Sequence, residues 1–268
     1  MSNPLNTSLT FHSIRAERQI ADRNRVQFDR WGLTCITLMS RPGAGKTVLL
    51  ERTVIALNDK LEIAAIAGDT TAKFDTEAWQ ELEIPTIAIH PQRSGHLNAQ
   101  KVSEGLSQLE SQYRPSDLDL ILIENVENRT FSTGFTIGEH IKVVLLSLTD
   151  VAQQVIESLA IFREADCILI TKIDLAADLD VDVDQILLDM HHINPNATIL
   201  PVSATTGIGL AAWFNWVGLQ VALRSQSAKA AKIENPRSKM PVRSSTVLVN
   251  YVAVSPPPNV VLRISSGI

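Results

Sequence analysis

The stretch Ser40-Arg41-Pro42-Gly43-Ala44-Gly45-Lys46-Thr47 follows an apolar run, Leu33 to Met39, and precedes a second one, Val48 to Leu57. The first run is short and bounded by turn residues, so it reads as a buried strand; the second reads as a helix. Strand, glycine-containing turn ending in Gly-Lys-Thr, then helix is the arrangement of a phosphate-binding loop. Gly43 and Gly45 let the backbone approach phosphate oxygens, and the N–H groups at the helix start point at an anion. Lys46 is expected to neutralise β- and γ-phosphate charge, and the Thr47 hydroxyl to ligate Mg²⁺. Ser40 stands where such loops usually carry their first glycine.

Outward from this loop the same rhythm repeats. Apolar runs at Ile63 to Ala67, Pro85 to Ile89, Leu118 to Ile123, Ile141 to Leu148, Cys167 to Ile170 and Thr198 to Val202 bring the expected strands to seven. Between them lie helical patterns at Thr71 to Leu82, Leu97 to Leu109, Val151 to Phe162 and Val183 to Ile193, with a final one from Leu210 to Leu223. Continuous apolar strands alternating with amphipathic helices predict an α/β fold with a mostly parallel sheet covered on both faces. Before the first strand, Met1 to Leu9 is polar and reads as loose, and Phe11 to Trp31 reads as a surface helix ended by Gly32. From Arg224 the composition turns basic and polar, and Pro256-Pro257-Pro258 separates two short β-prone pieces. The expected division is residues 1–32 as an N-terminal arm and helix, 33–224 as the nucleotide-binding domain, and 225–268 as a basic linker and proline-containing tail.

The 268 residues are 45% hydrophobic and 20% charged, enough apolar material for a substantial core. A net charge of -5 argues against a nucleic-acid-binding surface. Cys35 and Cys167 both sit inside strand-like runs and read as buried, reduced thiols, which fits a cytoplasmic setting. No apolar run reaches the length of a membrane span.

In such a sheet, ligands gather beyond the C-terminal ends of the strands, so polar groups there carry the chemistry. Thr171-Lys172-Ile173-Asp174 follows one strand. The Asp174 carboxylate can accept from guanine N1–H and from its exocyclic amine while the Lys172 stem covers the ring. Adenine lacks that donor pair, so the arrangement selects GTP over ATP. Ser203-Ala204-Thr205 follows the last strand and offers a backbone N–H to guanine O6. Asp69 and Glu124 end two further strands and are expected to hold Mg²⁺ or its waters beside Thr47.

In combination these segments resemble the HypB family of hydrogenase nickel-insertion GTPases, of the SIMIBI class of P-loop GTPases, with the urease accessory GTPase UreG more distant. Gly68-Asp69, Gly95-His96-Leu97-Asn98-Ala99, Glu124-Asn125-Val126, Gly138-Glu139-His140 and Ser203-Ala204-Thr205-Thr206-Gly207 carry the likeness beside the loop and Thr171 to Leu175. The resemblance implies a cytoplasmic, slowly hydrolysing GTPase that dimerises on binding GTP and serves, with other maturation factors, a client metalloenzyme such as a [NiFe] hydrogenase. Slow turnover is expected because no glutamine or arginine is placed to position water or to act as a finger. The family's metal-binding cysteines are absent: Gly95 and Phe131 stand at their positions, leaving His96 as the one candidate ligand for nickel or zinc. One histidine does not make a four-coordinate site. Glu127 replaces a glycine expected to sense the γ-phosphate, and Lys73 replaces an aspartate. These departures favour a second reading, a GTP-binding paralogue that switches a partner without nickel. A small-molecule kinase on the same loop is disfavoured by Lys172, Asp174, Ser203 and Ala204.

Overall fold

The computed structural model describes residues 4–68, 82–89, 97–126 and 136–233. The expected helix from Thr71 to Leu82 lies almost wholly outside them, and the tail beyond Ile233 lies outside entirely. Seven strands form a single parallel sheet: β1 Thr34–Ser40, β2 Ile63–Ala67, β3 Thr86–Ala88, β4 Leu120–Val126, β5 Ile141–Ser147, β6 Cys167–Thr171 and β7 Thr198–Val202. Their order is β3-β2-β4-β1-β5-β6-β7. β1 and β5 are buried at every position, as the unbroken apolar runs require of strands covered on both faces. β7 closes one edge and carries Pro201, tolerable there because an edge strand has one side without ladder bonds.

The six described α-helices are α1 Pro4–Trp31, α2 Lys46–Leu57, α3 Ala99–Gln112, α4 Val151–Arg163, α5 Val183–Ile193 and α6 Leu210–Ile233. Buried side chains form three clusters: α2 and α6 cover one face, and α1 with α3, then α4 with α5, cover the other. Trp213 of α6 is fully buried and its indole Nε1 donates to Thr53 Oγ1 of α2 at 2.8 Å, so the largest core side chain also has its polar atom satisfied.

Both chain ends differ from expectation. Helix α1 begins at Pro4, inside the stretch read as loose, and α6 runs past Leu223 to Ile233. The composition does change at Arg224, but Ser225 to Ile233 is rich in alanine and lysine, which favour helix whatever their charge. Helix α1 is bonded into the domain. Asn24 Nδ2 donates to Ala99 O at 2.8 Å and Ile137 O at 2.9 Å, Arg25 Nε donates to Gly138 O at 2.8 Å, and Glu17 accepts from the Ala99 amide at the start of α3. Each of the two buried bonds from Asn24 contributes about 1 kcal/mol, and leaving its acceptor bare costs more.

At the sheet's centre the chain reverses direction across β1: β4, β2 and β3 lie on one side of it and β5, β6 and β7 on the other. The crevice beyond the C-terminal end of β1 is the ligand position of a doubly wound sheet, and the loop Ser40 to Thr47 occupies it.

Candidate functional site

Gly43 and Gly45 have φ of 79° and 88°, the left-handed region a Cβ makes costly, and Gly45 is the N-cap of α2. The chain thereby turns so that Lys46 and Thr47 open the helix and the loop amides face outward along its axis. Lys46 is buried at 6% exposure. Its Nζ donates to Ser40 Oγ at 2.9 Å and lies 3.6 Å from Glu124 Oε1. Strands β1 and β4 pair in parallel with Leu38 opposite Glu124, which sets the carboxylate beside the loop. The Ser40 hydroxyl also donates to Arg41 O at 2.9 Å, so the residue standing in for glycine orients the lysine.

Asp69 lies outside the described residues, but the residue before it is tightly held. A Cβ on Gly68 would sit 2.3 Å from Leu97 Cγ and 3.0 Å from Glu124 O, so no side chain fits there. The buried Asn125 amide clamps Leu97 from both directions: Nδ2 donates to its carbonyl at 3.1 Å and Oδ1 accepts from its amide at 3.0 Å. The ends of β2 and β4 and the entry to α3 are thus locked together beside Glu124. A polar amide ending an apolar strand is the sequence signal for such a clamp.

At the other end, the buried Thr171 Oγ1 donates to Ala44 O at 2.9 Å and ties the turn after β6 to the phosphate loop. Lys172 adopts φ 61°, a conformation a non-glycine residue keeps only where its surroundings enforce it. Its Nζ donates to Thr149 Oγ1 at 3.4 Å, and Asp174 is exposed one turn further on. Together these loops enclose a cleft of about 380 Å³ whose wall includes Ala44, Val48, Thr171, Lys172, Asp174 and Ala204. Ser203 is fully buried and is not part of that wall. It organises the loop instead, with Oγ accepting from Thr206 N at 3.1 Å and its amide donating to Ile208 O at 2.9 Å. Gly209 completes the turn at φ 75°, where a Cβ would lie 2.1 Å from Pro201 O.

Of the expected site residues, Gly43, Ala44, Gly45, Lys46, Thr47 and Glu124 meet at the phosphate end. Lys172, Asp174 and Ala204 meet at the base end. Gly95, His96, Glu127 and Phe131 lie outside the described residues. Glu139 is committed within its own turn: Oε2 accepts from Thr136 Oγ1 and from Ile137 N, both at 2.8 Å. Its neighbour His140 sits at the opposite end of the strands from the loop, where Nδ1 accepts from the Cys35 amide at 2.8 Å. Cys35 and Cys167 are buried in strands, and burial raises both thiols well above their ordinary pKa, so neither offers a thiolate to a metal.

Residues 34–201 match the CobW/HypB/UreG nucleotide-binding domain. The chain belongs to that family. The probable hydrogenase maturation factor HypB of Methanocaldococcus jannaschii is 33% identical over 193 residues, covering 72% of this chain and 86% of the relative. HypB of Escherichia coli is 32% identical over 202 residues, 75% and 68% of the two chains. Among solved structures, HypB from Archaeoglobus fulgidus superposes with a TM-score of 0.71 at 32% identity, covering 77% of this chain and 99% of that one. HypB from Helicobacter pylori, solved in complex with nickel, shares the fold with a TM-score of 0.71 at 23% identity. The chain is a HypB-like P-loop GTPase. No helix among the described residues is long and apolar enough to cross a membrane.

Proposed function

We propose that this chain is a GTP-operated switch in the maturation of a metalloenzyme such as a [NiFe] hydrogenase, dimerising on GTP and hydrolysing it slowly. The observation that carries the nucleotide assignment is the single cleft with the phosphate loop at one end, Asp174 at the other, and the Thr171 to Ala44 bond holding the two at fixed separation. Asp174 accepts from the two guanine donors, and the Lys172 stem lies over the ring. Because the Ser203 and Thr206 amides are committed within their own loop, the Ala204 amide is the donor to O6. Lys46 turns from Ser40 and Glu124 toward the β- and γ-phosphates.

The donor set fits Mg²⁺: the Thr47 hydroxyl and the buried Glu124 carboxylate beside the phosphate loop are hard oxygen donors, and Asp69, outside the described residues, is expected to add a third. When bound, the ion neutralises charge developing on the phosphates. Glu124, which lies 3.6 Å from the Lys46 ammonium, would help to hold the ion or its water and so stay compensated when Lys46 turns to the phosphates.

The maturation role rests on the likeness to the HypB proteins. The reading without nickel is supported by Gly95 and Phe131 at the family's cysteine positions and by the burial of both real cysteines. We favour a chain that keeps the switch and has shed metal transfer.

Titration with GTP and ATP in the presence of Mg²⁺ tests the nucleotide assignment. GTP is expected to bind at least tenfold more tightly, a difference of about 1.4 kcal/mol. Asp174→Asn is expected to lose that preference and gain affinity for xanthine nucleotide. Equal affinity for GTP and ATP in the unmodified protein would sink it.

A further inference from the structure

Arg41 is the second residue of the phosphate loop, and its guanidinium Nη1 lies 3.6 Å from Asp150 Oδ2, both side chains being partly exposed. Asp150 is also the N-cap residue of α4, yet its side chain makes no capping bond there. Aspartate at an N-cap ordinarily accepts from the second or third amide of its helix. Here the carboxylate is turned to Arg41 instead. Asp150 therefore has two alternative partners, the Arg41 guanidinium and the first-turn amides of its own helix, and both interactions are of the modest size typical of partly exposed groups. Little free energy separates the two arrangements, which is the requirement for a responsive element.

The position of the pair says what it responds to. Glu124 on β4 flanks the loop on one side, and β5, which leads to Asp150, pairs with β1 on the other. A triphosphate seated on the loop brings several negative charges to Arg41, against the single charge of Asp150. The same turn is contacted from the base end, because Lys172 Nζ donates to Thr149 Oγ1. Thr149 and Asp150 thus contact Lys172 and Arg41, one at each end of the cleft. With Leu148, Val151, Val181 and Ile186 they also form the rim of a larger cleft of about 600 Å³ between the starts of α4 and α5.

We propose that Arg41 is a phosphate-positioning residue: a bound triphosphate draws its guanidinium from Asp150, and Asp150 then caps α4. The rim of the larger cleft thereby changes with the nucleotide. The inference rests on guanine-nucleotide binding in the cleft, and that premise is checked separately by the GTP-over-ATP preference of the unmodified protein. If that preference holds, the Arg41 variants test the present inference alone.

The experiment measures dissociation constants of GDP and of the non-hydrolysable analogue GppNHp, with Mg²⁺, for the full chain and its variants. Arg41→Gln is expected to weaken GppNHp about tenfold while changing GDP by less than about threefold, and Arg41→Lys to restore part of the loss. Asp150→Asn keeps a capping side chain but removes the competing charge, so it is expected to tighten GppNHp about threefold. The double variant is expected to behave like Arg41→Gln, because Asp150 acts only through Arg41. Amide exchange at the first turn of α4 should slow when GppNHp binds the unmodified protein and not in Asp150→Ala. Additive effects of the two substitutions, equal losses for GDP and GppNHp, or α4 exchange indifferent to nucleotide would each overturn the transfer. If Arg41→Gln does not fold, the Asp150→Asn affinity and the exchange measurement decide it.

Discussion

His140 is neutral in the folded protein, and this makes stability depend on pH in a direction that can be worked out. Its ring is buried against Phe28, with Nδ1 accepting from the Cys35 amide and Nε2 donating to Asp29 Oδ1 at 3.1 Å. Protonation of Nδ1 would set an N–H against an N–H. Burial, reinforced by the Arg224 and Arg25 guanidinium groups and opposed by Asp29, lowers its pKa from 6.5 to about 4. The folded pKa lies below the unfolded one, so the contribution to stability is fully present above about pH 6.5 and is lost as pH falls toward 4. Integrating between those values gives a loss of about 2 kcal/mol by pH 5 and about 3 kcal/mol below pH 4. Urea denaturation at pH 7.5, 6 and 5 measures it. Carboxylates also titrate at the acid end, so the informative quantity is the difference between the unmodified protein and His140→Gln, which keeps an acceptor and a donor but no titration. Glutamine is expected to cost about 1–2 kcal/mol at pH 7.5 and to flatten the pH dependence, so the two curves converge as pH falls. Parallel curves from pH 7.5 to 5, or an imidazole NMR titration with a midpoint near 6.5, would refute the reasoning. Arg224 of α6 also donates to Asp29 Oδ1, at 2.7 Å, so the same measurement reports on the clasp between the two long helices.

Lys46→Ala is expected to abolish nucleotide binding and, because it leaves the buried Glu124 without its cation, to lower stability by about 3 kcal/mol. Calorimetry with GTP and urea titration measure the two losses, and adding Glu124→Gln should recover most of the stability but none of the binding. For metals, Ni²⁺ or Zn²⁺ is expected to bind no more tightly than to an exposed histidine, whereas Gly95→Cys with Phe131→Cys together should create tight binding. Sub-micromolar, stoichiometric Ni²⁺ binding by the GTP-bound unmodified protein, lost in His96→Ala, would overturn the reading that metal transfer has been shed.

The apolar runs determined the seven strands to within two or three residues, because a strand buried on both faces has no alternative to a continuous hydrophobic sequence. Parallel pairing followed from the helical patterns between them, and the phosphate loop was legible because its chemistry needs particular residues at contiguous positions. Asp174, Lys172 and Glu124 were likewise readable as strand-end polar groups. What the sequence left open depends on pairs far apart in the chain. The order β3-β2-β4-β1-β5-β6-β7 puts Glu124 beside Lys46 and Thr171 against Ala44, contacts that no local pattern encodes. Ser203 was expected at the base and stands behind the wall, since its hydroxyl meets a nearer amide in its own loop. The start of α1 was misplaced because a polar stretch was read as loose, and the end of α6 because a basic composition was read as a boundary, whereas a solvated helix accepts polar and charged residues freely. The sequence analysis singles out neither Arg41 nor Asp150, and only the tertiary structure, by bringing the loop's Arg41 within reach, decides that the Asp150 carboxylate faces the phosphate loop and not the amides of its own helix.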